Sequence, residues 1–207
     1  MEDREATKGR RTRERVIADA APLFNRRGYA GTSIADLVQA VGLERGGIYR
    51  HFAGKDELAM AALEHALRLY GDRVRAHVER AEGAVARLSA FAAAMATTAD
   101  DPAVPGGCPL MNTTVECDDG EGPPYDALRE RARQGMRDVI GFARRIMEEG
   151  MAAGELPADV DAAAEAERMV AEMEGALVLS RLFADARYVR DAAGRIAARA
   201  RGWAARA

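Results

Sequence analysis

The 207-residue chain carries 30 Lys/Arg against 33 Asp/Glu, a formal net charge of −3, and only 5% of its residues are aromatic. Abundant alanine with dense, mixed charge favours helix over sheet; the longest strongly apolar run, Ala90–Ala96, falls far short of the roughly 20 residues that span a bilayer. The N-terminus mixes acidic and basic residues without the apolar core of a secretory signal, and two cysteines with no CxxC argue against a disulfide framework or a zinc site, so the expectation is a soluble cytoplasmic protein with no metal and no cofactor.

Charge is unevenly spread. Residues 1–56 hold 11 Lys/Arg and 8 Asp/Glu, whereas the remainder holds 19 and 25. A mildly basic head on an acidic body suits a polyanion partner at the head, or is simply a solvated charged tail.

After a polar tail, the first helix is predicted over about residues 12–27, with Val16, Ile17, Ala20, Ala21 and Phe24 on one face. Gly28 stands where a left-handed residue ends a helix. Thr32-Ser33 opens the second helix: Ser33 and Asp36 have capping-box spacing, and Ile34, Leu37, Val38 and Val41 make the buried side. Gly42 breaks it. A third short helix, about 44–51, buries Leu43, Ile48 and Phe52 and contains the pair Gly46-Gly47, each glycine costing about 1 kcal/mol in a helix interior. Gly54 breaks the pattern again, and a fourth helix runs from Lys55 towards Arg80. The second and third helices, about 33–52, joined by a tight glycine turn, form a helix-turn-helix by pattern. Further helices are predicted over 84–99, 108–117, 125–154, 159–186 and from 189 to the end, with Pro/Gly loops at 101–107 and 118–124. The fold class is all-α.

The stretch TRERVIADAAPLFNRRGYAGTSIADLVQAVGLERGGIYRHFAGKDEL closely resembles the TetR family of bacterial transcriptional regulators, through Ala20 to Phe24, Gly28-Tyr29, Thr32-Ser33-Ile34, Gly42-Leu43, Gly46, Tyr49, His51-Phe52 and Lys55 to Leu58. The resemblance implies an N-terminal three-helix helix-turn-helix DNA-binding domain over 1–54 and a C-terminal helical ligand-binding and dimerisation domain over 55–207. In a helix-turn-helix the second helix enters the major groove. Arg45 is then the candidate for base readout, since arginine pairs bidentately with guanine, and Gly46 and Gly47 let backbone come close to DNA. Tyr49, His51 and Lys55 match positions that reach phosphates, with Arg50 among them as a contact or a solvated side chain. Tyr49 also reads as part core, and His51 as a packing residue. Lys55, and likewise Thr32 and Ser33, stand at helix starts that favour an anion. The family often has serine where Glu44 stands, and glutamate near phosphates is mildly repulsive. The basic residues Lys8, Arg10, Arg11 and Arg13 either add DNA contacts or form a free tail.

For the body, the resemblance implies an inducer site and a homodimer through the last two helices. Met169, Val170, Met173, Leu177 and Leu179 to Leu182, with small Gly175 and Ala176, and then Ile196, Ala200 and Trp203, permit such an interface. In GGCPLMNTTVEC, the residues Cys108, Asn112 and Glu116 are four apart and share a helix face. They resemble a Gly-Cys…Asn…Glu signature of one branch of the family, in which the cysteine can sense electrophiles or oxidants. The other reading makes Cys108 a packing residue, the commoner fate of a lone thiol. Cys117, beside Glu116, Asp118 and Asp119, should have a raised pKa. Phe91, Met95, Met111, Phe142, Met147, Met173 and Phe183 form a pool from which an apolar inducer pocket or ordinary core is drawn.

The leading expectation is a ligand- or redox-responsive transcriptional regulator, a repressor released from a palindromic double-stranded operator when an inducer swings the fourth helix. The alternative is a nonspecific, nucleoid-type DNA binder. No HExxH, GxSxG, P-loop or GxGxxG is present, and the three histidines (His51, His65, His77) are scattered, so an enzyme is not expected.

Overall fold

The computed structural model describes residues 2–100, 102, 104–118 and 120–207. Among them every regular element is helical: α1 (Glu2–Arg27), α2 (Ile34–Val41), α3 (Arg45–Tyr49), α4 (Lys55–Val78), α5 (Ala84–Ala96), a 3-10 turn (Thr97–Asp100), α6 (Pro109–Asp118), α7 (Pro123–Ala152), α8 (Ala162–Phe183) and α9 (Arg187–Ala204). No helix among the described residues is long and apolar enough to cross a membrane.

The expected starts and stops recur within a few residues, with one exception. The first helix is already formed at Glu2, ten residues ahead of its expected start. Its first turns are built from strong helix formers, and Arg10 reaches Glu14 one turn on at 4.0 Å. The basic residues therefore ride on a helix. Ser33 caps α2 with the expected box: its hydroxyl accepts from the Asp36 amide at 3.1 Å, while the Asp36 carboxylate accepts from the Ser33 amide at 2.9 Å. Gly42 closes α2 at φ 66°, its N–H donating to Val38 O at 3.0 Å, a conformation that glycine adopts without the Cβ penalty.

The chain forms two compact units: Met1–Leu69 with Pro102–Ala132, and Tyr70–Asp101 with Arg133–Ala207. Of the helices, α4 and α7 each begin in the first unit and end in the second. In the first unit, Val16, Ile17, Ala20, Leu23, Leu37, Val41, Ile48, Phe52 and Leu58 make one core. Phe52 is 2% exposed, and burying such a ring contributes about 2–3 kcal/mol. In the second unit α5 packs on α8 and α9. Leu88, Phe91, Ala92 and Met95 on α5, Met169 and Met173 on α8, and Ala192 and Ala200 on α9 are all fully buried, and small alanines let helix axes approach. The start of α5 is held by the end of α7 and the turn after it: Glu155 accepts the Ala84 N–H, Arg87 pairs with Glu149 at 2.6 Å, and a Cβ on Gly150 would lie 2.4 Å from that of Ala84.

Candidate nucleic-acid interface

The helix-turn-helix is positioned by its core, and the short α3 owes its place to Ile48, which is 2% exposed. A five-residue helix has little stability of its own, so this anchor and the flanking Phe52 hold it. The opposite side of α3 is open. Arg45, its first residue, is exposed, and its guanidinium lies 5.5 Å from the Tyr49 ring centroid, a cation–π contact that limits where the long side chain wanders. Gly46 and Gly47 both have negative φ, so neither is there to relieve backbone strain. A Cβ on Gly46 would meet nothing within 4 Å, and one on Gly47 would come against the Leu43 side chain, 3.4 Å from its Cβ. Gly46 leaves bare backbone on the exposed face.

The remaining head residues sort by exposure. Tyr49 is 40% exposed, Arg50 is exposed at the C-cap of α3, and His51 is half-buried with its N–H donating to Ile48 O at 2.9 Å. Ser33 is exposed at the start of α2. Its hydroxyl and amide hold the Asp36 carboxyl below the usual carboxylate range, with Arg27 adding to the effect. Thr32 departs from expectation. It is fully buried, and its hydroxyl donates to Gly28 O at 2.7 Å, so its side chain ties α2 back to α1 and does not face a phosphate. Lys55, half-buried at the first position of α4, places Nζ 4.0 Å over the Tyr29 ring.

Three features of this head escape pattern reading. Arg13 stacks 4.7 Å from the Phe52 centroid and pairs with Glu57 at 3.0 Å, while Glu57 also accepts the Ala53 N–H at 2.8 Å. Those two bonds, Ala53 first, lower the Glu57 pKa. Arg15 caps the end of α2 by donating to Val41 O at 2.9 Å, an orphan helical carbonyl. Tyr29 is a junction: its hydroxyl bonds Asp56, its ring takes Lys55 on the face and Tyr125 edge-on with centroids 5.4 Å apart. Burial and then the bond to Asp56 push its pKa up to about 12.

Cys108, Asn112 and Glu116 lie in the same unit as the head. Cys108 is fully buried, its carbonyl accepting the Asn112 N–H at 3.1 Å. The Asn112 amide donates to Gly106 O at 2.8 Å and to Asn25 O at 3.0 Å, and Asn25 in turn donates to Pro105 O and Gly107 O, both at 3.0 Å. Asn112 thus holds a loop onto α1. The Cys117 thiol is buried and its pKa is raised, by burial first and Glu116 second, against an opposing Arg129. Of the apolar pool, Met111 is half-buried on α6, in the first unit. Phe91, Met95, Met147 and Met173 are fully buried in the second, and Phe142 stands 6.1 Å from Phe91, centroid to centroid. Phe183 is 58% exposed and lines no core. Among the described residues no group of three or more His, Cys, Asp or Glu is placed to hold a metal ion.

The last two helices present two faces. Met169, Val170, Met173, Ala176, Leu177, Ile196 and Ala200 are buried within their own chain, so they cannot also form the interface to a partner that the sequence suggested. Outward on α8 stand Val178 (44% exposed), Leu179 (40%), Leu182 (71%) and Phe183 (58%). Positions 175, 178, 179 and 182 follow helical spacing. Cβ atoms at Gly175, Gly194 and Gly202 would meet open space.

Comparison with known proteins bears on both regions. Residues 16–62 match the profile of bacterial regulatory proteins of the tetR family, and residues 84–196 match that of the tetracyclin repressor-like C-terminal domain. A TetR transcriptional regulator from Chloroflexus aurantiacus is 40% identical, with a TM-score of 0.86 over 93% of this chain and 95% of that one. An uncharacterised HTH-type transcriptional regulator of Mycobacterium tuberculosis is 30% identical over 137 residues, 66% of this chain and 63% of its own length. The TetR family regulator CifR, solved with a 26bp double-strand operator DNA, shares the fold with a TM-score of 0.71 at 23% identity, over 92% of this chain and 95% of that one.

Proposed function

Since the chain belongs to the TetR family of bacterial regulatory proteins, we propose that it is a transcriptional repressor that binds a palindromic operator as a homodimer and leaves it when a small molecule binds. The observation that carries this reading is the exposed side of α3, where Arg45 stands free for a base edge and Gly46 leaves backbone uncovered beside it. Ser33, Tyr49, Arg50, His51 and Lys55 surround it as candidate phosphate contacts, which fix register while Arg45 reads sequence.

The dimer is supported by the outward face of α8. Val178, Leu179, Leu182 and Phe183 are costly to leave in water, and the neighbouring glycines allow a second copy to pack closely. One helix-turn-helix makes too few contacts to specify a site. Two meet successive major-groove turns about 34–36 Å apart, so a small change in separation disengages both. Phe91, Met95, Phe142 and Met173 supply an adaptable apolar lining for an inducer. A covalent route at Cys108 is the finer version of the same proposal: a quinone that adds to this buried thiol must displace the loop that Asn25 and Asn112 hold.

Selection of bound sequences from a random duplex pool tests the whole reading. The expected product is an inverted repeat with half-sites one helical turn apart, or a multiple of it. Equal affinity for random duplex would remove the repressor reading in favour of a nonspecific binder. Arg45→Ala should lose about 1–3 kcal/mol of discrimination per half-site while keeping nonspecific affinity. Loss of operator binding on quinone treatment, absent in Cys108→Ser, supports the covalent route, and an identical response in that variant sinks it.

A further inference from the structure

The carboxylate of Glu116, far along the chain from the helix-turn-helix, accepts two backbone hydrogen bonds from the turn between α1 and α2: Tyr29 N–H to Oε2 and Ala30 N–H to Oε1, each 2.7 Å. Both oxygens are used, one donor apiece, so that one carboxyl group grips two consecutive amides. Gly28 makes room for it. A Cβ there would lie 2.5 Å from the Glu116 carboxyl, and Gly28 also sits at φ 73°.

What hangs on this turn is the phosphate-facing side of the head. Thr32 bonds Gly28 O at 2.7 Å and immediately precedes Ser33, the cap of α2. Arg27 pairs with Asp36 of the same capping box at 3.0 Å. The Tyr29 ring carries the Lys55 ammonium on its face, and its hydroxyl bonds Asp56, fixing the first turn of α4. Asn112, one turn before Glu116, grips α1 from the same face of α6 through Asn25 O. The side chains that would meet phosphates are therefore mounted on a turn that α6 holds in place.

We propose that Glu116 is a positioning residue for DNA binding: without touching DNA, it fixes the α1–α2 turn so that Ser33 and Lys55 meet the operator phosphates together. This rests on the reading that Ser33 and Lys55 contact phosphates, and the test separates the two. The full-length protein is titrated with its selected operator across a salt series as wild type, Glu116→Gln, Lys55→Ala, the double variant and Glu155→Gln. The last is a control that breaks a comparable carboxylate-to-amide bond, at Ala84 in the other unit.

Glutamine keeps the volume of glutamate but turns one acceptor into a donor that faces an N–H. E116Q should therefore bind the operator about tenfold more weakly. It should also lower the salt slope as K55A does, by about two for the dimer, one phosphate in each head. The double variant should lose little beyond either single one. Amide exchange at Tyr29 and Ala30 should quicken in E116Q, and E155Q should bind as wild type. If K55A lowers the slope while E116Q binds with wild-type affinity and slope, the positioning role is overturned and the phosphate reading survives. If E155Q reproduces the loss, the effect is general loosening, and the role is overturned as well. An unchanged slope in K55A refutes the phosphate reading, and the positioning role then stands or falls on the E116Q affinity alone. Glu116→Asp, shorter by one methylene, carries the same test should the glutamine variant fail to fold.

Discussion

Gly46→Ala separates fold from function at a single atom. Gly46 lies inside α3 with negative φ, and an added Cβ meets nothing within 4 Å. In the free protein the methyl is unopposed, and alanine is the better helix former by about 0.5–1 kcal/mol. At roughly 2–4 °C per kcal/mol for a chain of this size, the melting temperature should rise by about 1–4 °C. On the operator the sign reverses. If backbone at Gly46 lies against DNA, the methyl pushes α3 outward and stretches the Arg45 contact beside it. Losing about 1–3 kcal/mol in each of two half-sites raises the operator Kd by roughly 30-fold to more than 10³-fold. Differential scanning calorimetry gives the first number and a fluorescence-anisotropy titration at fixed salt gives the second. Nonspecific duplex, which needs no close approach, should be bound within about twofold of wild type. A G46A protein that is more stable and still binds its operator with wild-type affinity would refute the close-approach argument.

Leu182→Arg, placing a charge on an α8 side chain that is 71% exposed, should convert the dimer to monomer in sedimentation-velocity runs without loss of helicity. A dimer that persists would move the interface elsewhere. Tyr29 has its pKa raised from 10.0 to about 12, so the fold favours the neutral phenol. Its stabilising contribution is present below pH 10 and is lost as pH climbs from 10 towards 12. Tyr29→Phe should flatten the fall in stability over that window, and an equally steep fall would assign the alkaline loss to other groups. The raised pKa and burial of Cys117 keep its thiolate scarce near neutral pH. A maleimide-labelling time course on the folded protein should show it reacting many-fold more slowly than on the chain in denaturant.

The head was legible because its signals are local. Apolar spacing in α1 and α2, the Ser33–Asp36 box and the glycine stops at 28 and 42 each act within a few residues. The same locality explains the misreadings. A helix composed of charged formers looks like a tail when it buries little, so the start of α1 was placed at about residue 12 and not at Glu2. Thr32 has the chemistry of a phosphate contact, but its place at the α1–α2 junction turns the hydroxyl inward. The apolar residues of α8 were read as one surface, although they divide between a covered face and an open one. In the sequence, Glu116 stands out only by its spacing from Cys108 and Asn112. Its actual partners, however, are backbone amides, which no side-chain pattern can announce. The rise in the Cys117 pKa followed from its acidic neighbour, while the larger cause, burial, needed the fold.

The two compact units are each drawn from separated stretches of chain, with α4 and α7 passing from one to the other. Here a cut near residue 54 would carry away the turn at Tyr29 and Ala30 and leave its acceptor, Glu116, behind in the donor. A transplanted reading head would need residues 102–132 to travel with it, or a recipient that supplies an equivalent carboxylate. Inheritance of DNA specificity in such a chain is therefore a two-segment event.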